Sequence, residues 1–314
     1  KKMEYKTFPR RPGRKKKKEH FRNSVDHLAG IVPIVGPKLD FRFPWHDCLI
    51  PVNKNYLAVE AAVFNCAVAG CDTIWIVADE SMNPVLRKRI GPAIIDPYSY
   101  RKIDQNKKIK YVPIFYFPVH PKDKKKRNSL GWSTLYGAYM ARYVTKFMSR
   151  WFRPYRFFVS FPYGMVNPRE LGRKRDLIRN PCGFYTHFHE KTVRDGEYLP
   201  FTFGDVDLER SVRDIQKYRE FILKGRPYTE LDEDEKSSFR NVSIEAVFGN
   251  VYLDKSKKIG LREYWKIDNF DLYVKYLKSR LRRKIVKKKC YFDIQYLNKN
   301  IEVSDEMEEI GSSK

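Results

Sequence analysis

Gly30-Ile31-Val32-Pro33-Ile34-Val35-Gly36-Pro37-Lys38 and Thr73-Ile74-Trp75-Ile76-Val77-Ala78-Asp79 are the stretches on which the reading of the fold turns. Each holds a short apolar run bounded by glycine or charge, the signature of a strand covered on both faces. Between them, Tyr56 to Gly70 is rich in alanine, lacks proline and ends on glycine, which predicts a helix with a left-handed stop. Strand, loop, helix and strand make one βαβ unit, with parallel strands and a right-handed crossover. Ligands of open α/β sheets bind beyond the carboxyl ends of the strands. The irregular loop from Gly36 to Asp47, which contains Lys38 and Arg42, is therefore the first candidate site.

Outward from this unit the alternation continues. Ser81 to Ile90 reads as a short helix stopped by Gly91-Pro92, with Pro84 in its first turn. Ile109 to Phe117 is a buried strand, and the basic loop Pro121 to Asn128 leads into a helix from Ser129 to Trp151. Leu135, Tyr139 and Tyr143 recur at four-residue spacing on that helix and read as the face turned to the core. Tyr155 to Gly164 supplies another buried strand and a turn, and Arg169 to Arg179 a charged helix. Gly204 opens a helix lasting to about Leu223, where Asp205 and Asp207 suit the positive end of the dipole. Thr229 to Ser238 is an acidic linker or short helix. Asn241 to Gly249 with Val251 to Asp254 reads as a hairpin. Leu261 to Leu277 gives a strand ending in Ile267-Asp268 and a helix that continues through Lys278 to Lys289. The expected fold class is α/β, a mostly parallel central sheet with helices on both faces. A basic arm is expected over 1–25, the α/β body over 26–290 and a tail over 291–314.

This order resembles the sugar-nucleotide pyrophosphorylases and related nucleotidyltransferases, whose fold is the nucleotide-diphospho-sugar transferase, or GT-A-like, type. The resemblance rests on Pro51 before the helix, on Ala69-Gly70-Cys71-Asp72 and Ile74-Trp75-Ile76-Val77 after it, and on Leu130-Gly131-Trp132 followed by Ala138. It closes on Asp268 and Asp271, which match an Ile-Asp strand end and a first-turn aspartate. It implies that Gly36, Leu130 and Gly131 contact a nucleotide, that Lys38 and Arg42 bind phosphates, and that Asp268 holds a divalent cation, Mg2+. On the residues alone, the cap of the following helix is the role expected of Asp268 ahead of a metal ligand. Three departures stand out. The G-x-G-T-R core is absent, Trp132 stands in a threonine's place, and Ser160-Phe161-Pro162-Tyr163 ends a strand where the family has Gly-Asp and its metal carboxylate. A serine alone does not replace a carboxylate on a hard cation.

The composition adds a charge problem. The 314 residues carry 63 Lys and Arg against 38 Asp and Glu, a formal +25, and such a field attracts polyanions, nucleic acid above all. The clusters Arg14, Lys15, Lys16, Lys17 and Lys18 in the arm, and Arg282, Arg283 and Lys287 near the end, are the candidate phosphate contacts; a compositional bias toward lysine is the plain alternative. Five cysteines without metal-type spacing read as free thiols in a reducing compartment. No apolar run approaches the ~20 residues of a membrane helix, so a soluble intracellular protein without membrane contact is expected. His187 and His189, with Cys182 nearby, form a weaker metal candidate. Two functions follow. One is a nucleotide- or nucleotide-sugar-dependent transferase that associates with nucleic acid. The other is a catalytically inactive relative acting as a nucleic-acid-binding or structural scaffold.

Overall fold

The structure is a computed structural model describing residues 27–36, 38–41, 43–100, 109–119, 128–148, 153–180, 183–251 and 256–292. The strands are β1 (Leu28–Pro33), β2 (Pro51–Asn53), β3 (Tyr56–Leu57), β4 (Thr73–Asp79), β5 (Ala93–Ile95), β6 (Tyr111–Val119), β7 (Arg156–Val159), β8 (Gly164–Val166), β9 (Phe184–His187), β10 (Phe201–Gly204), β11 (Lys257–Gly260) and β12 (Tyr264–Lys266). The helices that matter here are α1 (Ala58–Ala69), α2 (Asn83–Ile90), α3 (Leu130–Met148), α4 (Pro168–Arg173), α5 (Asp205–Leu223), α6 (Glu233–Arg240), α7 (Ile244–Phe248), α8 (Phe270–Lys278) and α9 (Arg280–Lys284).

Eight strands form one sheet in the order β11-β9-β10-β7-β1-β4-β6-β5. β7, β1, β4 and β6 are mutually parallel, while β10 and β5 run against them. The expected unit is present: β1 and β4 are parallel neighbours, with Ile31 opposite Trp75 and Val32 opposite Ile76. From β1 the chain steps outward to β4 and β6, then returns to lay β7 on the other side of β1. The strand order therefore reverses at β1, and the crevice beyond its carboxyl end is where such sheets take ligands.

Every residue of β1 is buried because both faces of the sheet are covered. Leu28 and Val32 join one core with α1, while Ala29 and Ile31 join a second core with Leu135, Ala138 and Ala141 of α3. α1 is buried on all sides and closes on Gly70, whose φ of 91° suits glycine alone. Its one carboxylate, Glu60, is fully buried. It accepts from the Leu57 N–H at 2.9 Å and from the Lys287 amine at 2.6 Å, with the Arg89 guanidinium at 3.3 Å.

Three expectations are corrected. Residues 241–249 are not a hairpin strand but α7, whose first turn is capped by the Ser243 hydroxyl accepting from the Ala246 N–H at 3.1 Å. The basic helix does not run on from Leu277 to Lys289. It stops at Ser279, which has extended backbone and caps the separate short helix α9. The aromatic stripe of α3 does not face the core: Leu135 is buried, but Tyr139 and Tyr143 are 57 % and 49 % exposed. Small residues, Gly137, Ala138 and Ala141, lie against the sheet instead, because close approach of helix to sheet excludes large rings there. No helix among the described residues is long and apolar enough to cross a membrane.

Candidate functional site

Beyond Pro33 the chain leaves the sheet but stays tied to it. The Ile34 and Val35 N–H groups both donate to the Val77 carbonyl, at 2.9 and 3.3 Å. Ser133, in the first turn of α3, donates its hydroxyl to the Val35 carbonyl at 2.5 Å. Ser129 caps that turn by accepting from the Trp132 N–H at 3.1 Å. A Cβ on Gly36 would lie 3.0 Å from Leu130 Cγ, so these two residues are packed together although nearly a hundred positions apart. Gly131 is turned elsewhere: its missing Cβ leaves room for Val247 of α7, only 2.6 Å from where it would stand. Leu130, and not Gly131, is thus the member of the pair that meets the loop.

The loop's next bend meets the end of the chain. The Phe270 N–H donates to the Asp40 carbonyl at 3.0 Å, and Asp40 pairs with Asn269 in a parallel bridge. Asp40, Asn269, Phe270, Asp271, Leu272 and Lys275 line a surface depression of about 600 Å³. Beside it, Phe43 and Trp45 stack at 4.9 Å and 11°, with Phe270 edge-on to Phe43 at 6.1 Å. Trp45 and Phe270 are each nearly half exposed, an accessible aromatic shelf. Lys38 is exposed on the same loop, and Arg42 lies outside the described residues.

Asp268 stands at this junction. The Ile267 N–H before it donates to the Tyr163 carbonyl at 2.8 Å, fixing the strand end against the turn after β7. Its carboxylate accepts from the Asn269 amide at 3.0 Å and lies 3.9 Å from the Lys266 amine, with about a third of the side chain open. The helix cap is Asn269, whose side-chain oxygen accepts from the Leu272 N–H at 2.9 Å. Asp268 is therefore relieved of the capping role. Lys266 also sits 4.9 Å over the Tyr198 ring, and burial, then Asp268 and Glu197, push the Tyr198 hydroxyl up to about 12.

Under the loop lies a group that composition and spacing gave no sign of. Asp47 is 4 % exposed; its Oδ2 accepts from the Leu39 N–H at 2.7 Å, while its Oδ1 has no hydrogen-bond partner among the described residues. Burial, with Asp47 and Asp79 adding to it, pushes the Cys48 thiol far up, so Cys48 is no nucleophile. Burial and then Cys48 and Asp47 do the same to Tyr163. Ser160 ends β7 with its N–H donating to Ile31 and its hydroxyl buried without a partner among the described residues.

Among the described residues no three His, Cys, Asp or Glu side chains come together to hold a metal. A cage built wholly from protein ligands does not fit these residues, and His187 and His189 do not supply one; Cys182 lies outside the described residues. A Mg2+ ion needs less, one or two carboxylates with substrate phosphates and water. The half-open Asp268 carboxylate fits that donor set.

The proposed nucleic-acid contacts divide. Arg14 and Lys15 to Lys18 lie outside the described residues. Lys287 is taken up by buried Glu60 and lies 5.0 Å over the Phe292 ring. Arg282 donates to the Leu277 carbonyl at 3.2 Å, closing the end of α8, and Arg283 faces solvent.

No protein-family model matches the sequence, and no curated protein matches it either. Solved structures do. A nucleotidyl transferase from Methanothermobacter thermautotroptrophicus matches with a TM-score of 0.48 at 14 % identity, over 82 % of this chain and 98 % of that one. A UDP-glucose pyrophosphorylase complexed with UDP-glucose matches at 0.46 and 10 %, over 82 % and 99 %. A Mycobacterium tuberculosis H37Rv protein in complex with manganese matches at 0.39 and 12 %, over 81 % and 100 %.

Proposed function

We propose that the chain is a nucleotide- or nucleotide-sugar-dependent transferase whose ligand lies over the carboxyl end of β1. The observation that carries this is the meeting of three separate segments beyond the carboxyl end of β1. The loop after β1 packs at Gly36 on Leu130, and at Asp40 on Asn269 and Phe270. The Trp45–Phe270 shelf offers a flat apolar surface to a base or sugar. Lys38, with Arg42, neutralises phosphate charge. Asp268 would hold a Mg2+ ion, which would supply further charge stabilisation to the phosphates. Lys266 holds the Asp268 carboxylate in place from one side. In such a site the protein's share of catalysis is positioning and electrostatics.

One observation favours the scaffold reading: Ser160 stands at the end of β7 where a carboxylate would serve a metal. Thermal unfolding against a panel of nucleoside triphosphates and nucleotide sugars, with and without Mg2+, separates the two. A true ligand at a hundred times its Kd adds about 2.7 kcal/mol of stability. That gain should depend on Mg2+ and vanish in Lys38→Ala and Asp268→Asn. No stabilisation by any member of the panel would overturn the transferase and leave the scaffold.

A further inference from the structure

α3 leads away from the candidate site and presents a face the transferase reading does not use. Tyr139, Tyr143 and Phe147 are 57 %, 49 % and 71 % exposed, and they recur every fourth residue, so the three rings form one row, stepping about 6 Å along the helix axis. Tyr139 and Tyr143 lie nearly parallel, 16° apart with centroids at 6.1 Å, and Phe147 stands edge-on to Tyr143 at 5.2 Å. The opposite face of α3 is already complete, with Leu135, Ala138 and Ala141 in the core. The rings therefore add nothing to the interior, and a contiguous exposed row of this kind marks an interaction surface.

The charges around the row select its occupant. The segment Leu130–Met148 contains Arg142 and Lys146 and no acidic residue. Lys146 is exposed between Tyr143 and Phe147 in sequence. Asp205 at the start of α5 is held by Arg142 at 3.3 Å, and Arg153 also lowers its pKa, against a larger upward push from burial. Asp205 thereby offsets Arg142, and exposed Lys146 leaves the row aromatic and cationic within a chain of net charge +25. A second copy would bring the same sign of charge to the row, which opposes self-association. A polyanion with accessible flat rings meets both halves of the pattern. Single-stranded nucleic acid is such a ligand, whereas a duplex keeps its base faces covered.

We propose that the Tyr139–Tyr143–Phe147 row is a stacking platform for single-stranded nucleic acid, with Lys146 on its phosphates. Recognition is sequence-tolerant, since any base has a face to stack. The row lies away from Gly36, Lys38 and Asp268, so this inference stands or falls separately from the transferase reading.

The test is fluorescence anisotropy of labelled oligothymidylate and of a duplex of equal length, across a salt series, with the full chain. Each ring replaced by alanine should weaken single-strand binding on the order of tenfold. Tyr139→Phe with Tyr143→Phe should bind as the parent does. Because the rings are outside the core, circular dichroism of the alanine variants should be unchanged, and any nucleotide-induced thermal shift should persist. Unchanged oligothymidylate affinity in the triple alanine variant overturns the proposal. So does equal loss on duplex and single strand. Ring-dependent binding to phosphatidylserine vesicles without binding to oligothymidylate would assign the row to a membrane surface and overturn it too, as would ring-dependent dimerisation seen by sedimentation without oligothymidylate binding.

Discussion

Single residues at both ends of the central strands set how this protein answers to pH and to substitution. At the amino end Asp72 binds β1 to its surroundings. Its Oδ2 accepts from the Leu28 N–H at 3.1 Å and its Oδ1 from the Lys110 amine at 2.6 Å, with Arg179 at 3.2 Å. Burial alone would raise this carboxyl, but Lys110, Arg179 and the Leu28 N–H outweigh it and hold the group below its ordinary value. A carboxyl depressed in the folded state stabilises above the unfolded value of about 3.9, and that stability is lost as pH falls through the folded value. Asp72→Asn should therefore lower the urea midpoint at pH 7 and shrink the drop in midpoint between pH 7 and pH 3. An equal drop in parent and variant would refute this. Glu60 makes a sharper case. Glu60→Gln leaves the largely buried Lys287 amine facing a neutral amide, while Arg89, a third exposed, keeps Asn55, and should cost about 3 kcal/mol in denaturant unfolding. Neither partnership is visible in the sequence, where Glu60 and Lys287 are two charges among many. Asp47 was equally hidden, because its meaning comes from burial beneath its own loop. The strand end before Gly36 and the helix start at Leu130 were legible, since glycine after an apolar strand and a helix start after a basic loop are both local signals.

At the level of elements, the strands of the first unit and the helix between them followed directly from apolar runs and a glycine stop. The misreadings have physical causes. Ile244 to Phe248 is short and apolar, a length at which helix and strand periodicity cannot be told apart, and the Ser243 cap decides in favour of the helix. Ser279 ends α8 for a related reason: its hydroxyl offers the backbone an alternative partner, the Arg282 N–H at 3.4 Å. On α3 the four-residue spacing located a line of rings without saying which line faces inward. α7 matters because it seats Val247 against Gly131. Gly131→Ala should destabilise by about 1–3 kcal/mol through overpacking. In Val247→Ala the same substitution should cost markedly less, a coupling measured by a double-mutant cycle of unfolding free energies. Strict additivity would refute the contact between Gly131 and Val247 as the source of the cost.

Across the whole molecule, the apolar strands were legible because two cores sandwich the sheet, and the charge was legible because it is a sum over the chain. Residues 1–18 hold ten Lys and Arg against Glu4 alone. If these contribute to polyanion binding, each phosphate contact adds a slope of about −0.7 on single strands. Deleting 1–18 should flatten the salt dependence of oligothymidylate binding while leaving its dependence on Tyr139 and Tyr143 intact; an unchanged slope would mark the arm's charge as compositional. A different consequence follows from the way α1 is enclosed. Its Phe64 stacks on Tyr291 at 5.5 Å, Tyr56 meets Phe292 at 6.3 Å, and Glu60 waits for Lys287, 227 positions later. A ribosome making this chain must therefore carry synthesis past Phe292 before α1 can be sealed, and until then a largely apolar helix is open to water and to other nascent chains. Translation stopped after Lys278 should yield a polypeptide that chaperones retain, whereas a chain extending beyond Phe292 should resist protease.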